Sequence, residues 1–140
     1  GGLVIAAGSS GMAESPDETS SQYSVLVNFD MGLTAGTLVS IQASDGTEIA
    51  TFAPAKQFQS IVVSSPELAN GVTYNVYYGG TDSNTAVDGL YQAGGYSGGT
   101  LYTSFTISSV VTRLGAGGMG GFGGVSQESP PFILKRVLKK

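Results

Sequence analysis

The sequence of 140 residues contains no cysteine, histidine or tryptophan, and only 11% of its residues are charged. Without cysteine there is no disulfide framework and no thiol nucleophile. Without histidine there is no imidazole base and no typical zinc or copper site, so a Ser-His-Asp triad is excluded. No run of about 18 apolar residues occurs, so we expect no transmembrane helix.

The sequence is instead rich in apolar, glycine and hydroxyl residues. Hydrophobic residues make up 41% of the chain, enough for one buried core, and there are 22 glycines. The length suits one domain with a tail. Because surface polarity comes from hydroxyl groups and bare backbone rather than from charge, the composition is typical of extracellular β-proteins. We therefore expect an extracellular location.

Charge is distributed unevenly along the chain. Residues 1–134 hold all ten acidic residues and two of the six basic residues, a net charge of about −8. The other four bases are Lys135, Arg136, Lys139 and Lys140. An acidic body disfavours nucleic-acid binding, and a basic tail favours an acidic partner.

Alternating apolar and polar residues predict β-strands spaced every 10–12 residues or so, as in a sandwich. Ser44-Asp45-Gly46 separates two such runs and predicts a hairpin. The run from Leu68 to Tyr77 resembles a tyrosine corner around Tyr74. The fold class predicted is all-β, an antiparallel immunoglobulin-like or fibronectin-III-like sandwich. Its predicted interior comprises Val25, Val27, Phe29, Ile61, Val63, Tyr74, Val76, Phe105 and Ile107.

We divide the chain into four segments. Residues 1–16 contain an apolar strand, 17–112 form the sandwich, 113–131 are a Gly-rich linker, and 132–140 are a basic amphipathic tail. In the tail, Ile133, Leu134, Val137 and Leu138 fall at helical spacing opposite the bases, which predicts a short helix that needs a surface to form on.

Residues 79–100 form a long Gly-rich connection, a feature that is often functional. Two binding hypotheses arise there. Aromatic platforms bind sugars, and the candidates are Tyr91, Tyr96 and Tyr102. Carboxylate and amide oxygens bind calcium, and the candidates are Asp82, Asn84 and Asp88. The alternatives are that the tyrosines cover a sheet face and that the acids cap turns. Calcium is the one candidate cofactor, and no catalytic residue is predicted.

The two ends of the sequence predict self-association. Leu3-Val4-Ile5 is an apolar strand with no obvious partner inside a closed sandwich, and such a strand seeks a sheet edge. In the tail, Phe132, Ile133, Leu134, Val137 and Leu138 are expected to face an apolar groove, and the four bases to face acids on a neighbouring body. Docking within one subunit and binding to a membrane surface are the alternatives.

Four segments carry a family resemblance: GGLVIAAGSSGMAESP, QYSVLVNFDMGLTAGTLVSIQ, FQSIVVSSPEL and VDGLYQAGGYSGGTLYTSFTISSVV. Together with much of the sequence between them, they resemble the C-terminal region of bacterial carbohydrate-binding surface proteins related to a clostridial polygalacturonate-binding protein. The resemblance covers roughly residues 1–112. It implies a bacterial, non-enzymatic surface protein, with the first residues similar to the last coil of a β-helix. It transfers no binding residue to this chain.

These observations predict a non-catalytic extracellular structural or assembly module of a bacterial surface protein. We expect a homo-oligomer or fibre built by strand addition and by the basic tail. A carbohydrate-binding module for acidic polysaccharide is the alternative. An enzyme is the least favoured class, because only carboxylate pairs such as Asp82 with Asp88 remain as catalytic groups.

Overall fold

The computed structural model describes residues 2–8, 22–115 and 132–138, and this part of the chain is all-β with no helix. None of it could span a membrane as a helix. The strands are β1 (Gly2–Gly8), β2 (Ser24–Leu33), β3 (Val39–Ala43), β4 (Glu48–Phe52), β5 (Phe58–Ser64), β6 (Thr73–Tyr78), β7 (Thr81–Asp82), β8 (Leu90–Tyr91), β9 (Tyr96–Ser97), β10 (Thr100–Thr106), β11 (Val111–Gly115) and β12 (Phe132–Leu138).

The strands form two five-stranded sheets and one two-stranded sheet. The first sheet has the order β11-β2-β5-β1-β12, and the second has the order β10-β6-β3-β4-β8. Strands β7 and β9 pair with each other. All pairings are antiparallel except that of β11 with β2, which is parallel.

One hydrophobic core lies between the two large sheets, which gives a sandwich-like architecture. The nine residues predicted to be interior are all buried, so this prediction is confirmed. Phe29 of the first sheet contacts Tyr78 and Tyr102 of the second, with ring centroids 6.3 and 4.8 Å apart. In β5, Ile61 and Val63 belong to the core cluster, whereas Val62 is also buried but lies outside that cluster. Strand β5 is thus buried on both faces.

The hairpin predicted at Ser44-Asp45-Gly46 is confirmed. Strands β3 and β4 pair across it, with Val39 opposite Phe52. Gly46 has a φ of 97°, which a side chain would strain, and the Asp45 carboxylate accepts a hydrogen bond of 2.9 Å from the Thr47 amide. That hydrogen bond lowers the pKa of Asp45.

Tyr74 ties its strand to the preceding turn, as the sequence predicted. Its hydroxyl oxygen accepts a hydrogen bond of 2.8 Å from the Ala69 amide and lies 3.4 Å from the Glu67 carbonyl oxygen. Its ring is buried and stacks on Phe105, with centroids 5.5 Å apart. One side chain therefore joins the turn before β6 to the core.

We expect Tyr74→Phe to lower the free energy of unfolding by about 1–2 kcal/mol, because the ring stays packed while the Ala69 amide loses its acceptor. Urea unfolding of the purified protein, followed by far-UV circular dichroism, measures the change. An unchanged unfolding midpoint would show that the hydroxyl contributes nothing and that the corner is held by packing alone.

Strand β10 departs from the predicted alternation. Regular alternation through Leu101, Thr103 and Phe105 predicts that Leu101 faces inward and Tyr102 outward, whereas the structure shows the reverse. A bulge shifts the pairing with β6 between Leu101 and Thr103. As a result Leu101 is 54% exposed, whereas Tyr102 packs on Phe29 in the core.

The predicted boundary at residue 112 is also wrong by a few residues. Strand β11 continues through Arg113 and Leu114 to Gly115, beside β2. Gly115 has a φ of 107°, and a Cβ there would overlap the carbonyl oxygen of Asn28. The first glycine of the predicted linker is therefore part of the sheet, because only glycine allows this close approach of two backbones.

Candidate functional site

The first strand lies inside the first sheet rather than apart from the sandwich. β1 pairs antiparallel with β5 on one side, with Ile5 opposite Val63, and antiparallel with β12 on the other. Ile5 and Ala7 are fully buried in the core cluster, and Leu3 packs against it. The expectation that this apolar strand has no partner within the sandwich is therefore wrong. Its partners are distant in sequence, so no local signal identifies them.

The tail forms a strand and not a helix. β12 pairs with β1 from Gly2–Leu138 to Ala7–Phe132, with one register shift between Ile5 and Ala6. The helix prediction fails because seven residues cannot hold an isolated helix, whereas the edge of β1 offers a complete row of backbone partners. The predicted tail contacts of its apolar and basic side chains, and Lys139 and Lys140, lie outside the described residues.

A groove opens beside the first strand, between the two sheets. Its volume is about 450 Å³, and it is lined on the β1 side by Leu3 and on the other by Ile49, Leu90 and Tyr91. Thr51, Thr85 and Gln92 add polar atoms to its wall. The volume falls in the range of small-molecule sites, which span roughly 300–1,000 Å³. The groove is therefore a concave feature that could receive a ligand or a side chain from a partner.

The three tyrosines proposed as a sugar platform lie in three different settings. Tyr91 is half-buried in β8, opposite Thr51 of β4, and lines the groove. Tyr96 is half-buried in β9, and its hydroxyl donates a hydrogen bond of 2.6 Å to the Gly79 carbonyl. Tyr102 points inward and donates to the Asn28 carbonyl at 3.1 Å. Because the Tyr102 ring belongs to the core side of its sheet, the three do not form one flat platform.

Glu48 of β4 links the 79–100 connection to the second sheet by hydrogen bonds. One carboxylate oxygen of Glu48 accepts a hydrogen bond of 2.9 Å from the Gly94 amide, and the other accepts one from the Thr51 hydroxyl. The Thr51 hydroxyl lies 2.8 Å from that of Ser40, which accepts from Gln42 at 3.0 Å. Sequence reasoning missed Glu48, since a single glutamate beside a turn reads as a solvated surface residue.

The three calcium candidates act as loop supports. Asp82 Oδ1 accepts a hydrogen bond of 2.9 Å from the Asn84 amide, and the Asn84 side chain donates to the Gln92 carbonyl at 3.2 Å. Asp88 is exposed, with a φ of 54°, in a tight turn. Calcium takes six to eight oxygen ligands. Over residues 2–8, 22–115 and 132–138 there is no group of three acidic, histidine or cysteine side chains that could hold a metal. Calcium at these residues stays a sequence-based prediction.

Tyr96 has a perturbed ionisation that a pH titration can detect. Burial, the charge of Glu48 and the proximity of Tyr77 raise the pKa of Tyr96 to about 12. A free tyrosine ionises near pH 10. Between pH 10 and 12 or so, the unfolded chain has lost this proton while the folded chain keeps it. The free energy of unfolding therefore falls as pH rises through this window.

We expect Tyr96→Phe to flatten this fall above about pH 10, because phenylalanine has no proton to lose. Below about pH 9, the free energy of unfolding of the variant should have the same pH dependence as that of the wild type. It should be lower by about 1 kcal/mol, because the hydrogen bond to Gly79 is lost. Urea unfolding at several pH values measures both effects. Equal slopes for the two proteins above about pH 10 would contradict the raised pKa.

The described residues thus form an all-β chain with sandwich-like sheets, and one groove lies beside the first strand. No family model, no curated protein and no solved structure matches this chain. The family resemblance stated from the sequence stays a prediction.

Proposed function

We propose that this chain is a non-catalytic extracellular assembly module that polymerises by exchanging a strand between copies. The observation that carries the proposal is the position of β1, which completes the first sheet between β5 and β12. Its Ile5 and Ala7 side chains fill the core as fully as residues from the body do. A strand of this kind leaves an apolar slot when it departs, and the same strand from a second copy fits that slot.

The length of the connection after β1 supports the proposal. Fifteen residues, 9–23, separate Gly8 from Ser24. An extended chain of that length reaches about 50 Å, well beyond the width of one sheet. The connection is therefore long enough to place β1 in a neighbouring subunit, and exchange of an identical element leaves every contact of the slot unchanged.

Charge supports association between copies. Residues 1–134 carry a net charge of about −8, whereas the last six residues hold four bases. A basic strand at the edge of an acidic body attracts a second body, and salt weakens that attraction. Edge strands rich in lysine also resist uncontrolled pairing.

Static light scattering and electron microscopy of the full-length protein test the proposal. We expect masses above the monomer that grow with protein concentration and fall at high salt. Deletion of residues 1–7, and separately of residues 125–140, should abolish assembly in at least one case. A full-length protein that stays monomeric at millimolar concentration contradicts the proposal.

A carbohydrate-binding role is the second candidate, and the groove beside Tyr91 supports it. The groove has a mostly apolar wall that includes the ring of Tyr91, with the polar side chains of Thr85 and Gln92 beside it, which suits the stacking of a sugar ring. Titration with neutral and uronic-acid oligosaccharides tests this role, with Tyr91→Ala as the disrupting variant and Tyr77→Ala as the matched control outside the groove. Equal affinity for both variants would rule out the groove as the site.

The type of sandwich and the location of the protein are part of the same proposal. We assign the sandwich to the immunoglobulin-like or fibronectin-III-like type, supported by the Tyr74 corner, and we regard β1 as similar to a β-helix coil only through its sequence. A bacterial cell-surface location and an adhesive role follow from composition and resemblance. The absence of histidine and cysteine from the sequence supports a non-enzymatic role.

A further inference from the structure

The strand registers place both long connections relative to the two ends of β5. Gly8 of β1 lies opposite Ser60 of β5. Gly115 of β11 pairs with Asn28 of β2, and Asn28 in turn pairs with Ser60, so Gly115 lies at the same height in the sheet as Ser60. Phe132 pairs with Ala7, one residue away. We call this the Ser60 end of the first sheet. β1 therefore ends, β11 ends and β12 begins at one end of the sheet.

The chain enters β2 at the opposite end. Ser24 lies opposite Ser64, at what we call the Ser64 end of the sheet. Within one subunit, the connection that leaves β1 at Gly8 must therefore return along the sheet and pass β5 to reach β2. The two points are about 17 Å apart, from four residues along the strand and two strand spacings. Between two subunits stacked end to end, the same connection runs forward and needs no return.

We propose that β1 of one copy fills the slot between β5 and β12 of the next copy, and that β12 of the receiving copy closes over it as a latch. The partner is thus a second copy of this chain. The inference rests on the proposed assembly function and specifies its geometry. In the filled slot, the incoming strand has antiparallel partners on both sides, so the backbone donors and acceptors along both of its edges are satisfied.

The latch belongs to the receiving copy because of where the tail starts. Gly115 and Phe132 of one chain lie at the same end of its sheet, four strand spacings apart, which is about 19 Å. The sixteen residues between them cover that distance with slack. The donor's own tail starts at the Ser60 end of the donor, which faces away from the receiver. To pair with the inserted β1, that tail would have to cross the whole length of the donor body.

The resulting contact is heterologous, which fixes the form of the assembly. The Ser64 end of the donor, where β2 begins, faces the Ser60 end of the receiver, where the inserted strand ends. Each copy offers one strand and one slot on opposite ends, so the contact repeats head to tail and gives an open filament rather than a closed dimer. The strands then run along the filament axis.

Cysteine pairs test this geometry, because the sequence has no cysteine of its own. Ala6 faces Val62 across the β1–β5 pair, so we mix Ala6→Cys protein with isotopically labelled Val62→Cys protein, assemble under reductant and then oxidise. We expect disulfide-linked pairs containing one labelled and one unlabelled chain. A mixture of Ala6→Cys and Thr106→Cys proteins is the control, since Thr106 is exposed on the other sheet, and it should give none.

Two double variants complete the test. Ala6→Cys with Val62→Cys in one chain should give a ladder of covalent multimers, and so should Val4→Cys with Arg136→Cys, which joins β1 to the latch. Val4→Cys with Ser64→Cys reads the same β1–β5 register if the first pair does not fold.

The outcomes separate this inference from the proposed function. Filaments in which the β1–β5 bond closes only within single chains would overturn this inference and the strand exchange in the proposed function, while an assembly role by another contact would stand. The Ala6/Val62 variant could give a multimer ladder while the Val4/Arg136 variant gives only in-chain bonds. That result would show that β1 and β12 of one chain insert together into the neighbour, and it would overturn the latch. A monomer with in-chain bonds throughout would overturn both the inference and the proposed function.

Discussion

Replacing Phe29 with alanine is expected to lower the free energy of unfolding by about 3–5 kcal/mol. Phe29 is 2% exposed and lies where the two sheets meet. Its ring packs edge-on against Phe58 of its own sheet at 6.2 Å and contacts Tyr78 and Tyr102 of the facing sheet. Removing the ring leaves a cavity shared by both sheets, which strand β2 alone cannot collapse to fill.

Urea unfolding measures the effect, and Met31 of the same strand provides the control. Met31 is 42% exposed, so Met31→Ala should change the free energy of unfolding by less than about 0.5 kcal/mol. A comparable loss in both variants would mean that strand β2 is unstable as a whole and that Phe29 has no special place in the packing.

Replacing Ile5 with aspartate is expected to cost more than about 4 kcal/mol, or to expel β1 from the sheet altogether. The Ile5 side chain is fully buried in the core cluster opposite Val63, so a carboxylate in its place would lose its hydration. The cost applies whether β1 fills its own slot or that of a neighbour, because the contacts are the same. Loss of β1 therefore appears both as a lower unfolding midpoint and as loss of assembly.

Ala6→Asp is the matched control, since Ala6 is the next residue along β1 and is only partly buried. We expect a clearly smaller loss of stability, measured by urea unfolding at a fixed protein concentration and by light scattering. If the two aspartates cost the same, the inward orientation of Ile5 is not what holds β1 in place.

The parts of the fold that were predictable depend on local pattern. Alternation in β2 and β6 identifies the residues that face the core, because successive side chains of a strand point to opposite faces, and Asp45-Gly46 identifies its own hairpin. The Tyr74 corner is likewise encoded within a few residues of sequence. In each case the physical cause lies close to the residues that reveal it.

The parts that failed depend on partners distant in sequence. The places of β1 and β12 are set by each other and by β5, so neither strand reveals its neighbour. The bulge in β10 inverts Leu101 and Tyr102, although the residues themselves alternate regularly. Tyr91 was proposed from its aromatic character and lines the groove, and its sugar-binding role stays a prediction, whereas the contact of Glu48 with Gly94 is visible only in the folded loop.

The bulge in β10 has a consequence for solubility. β10 is the long outer edge of the second sheet, and its free backbone groups offer a template for a stray strand from another molecule. The shift between Leu101 and Thr103 breaks that template into two short pieces and increases the local twist. At the opposite edge, β8 is two residues long. The second sheet therefore resists edge-to-edge pairing with other molecules, so filaments of this protein should not clump into amorphous aggregates.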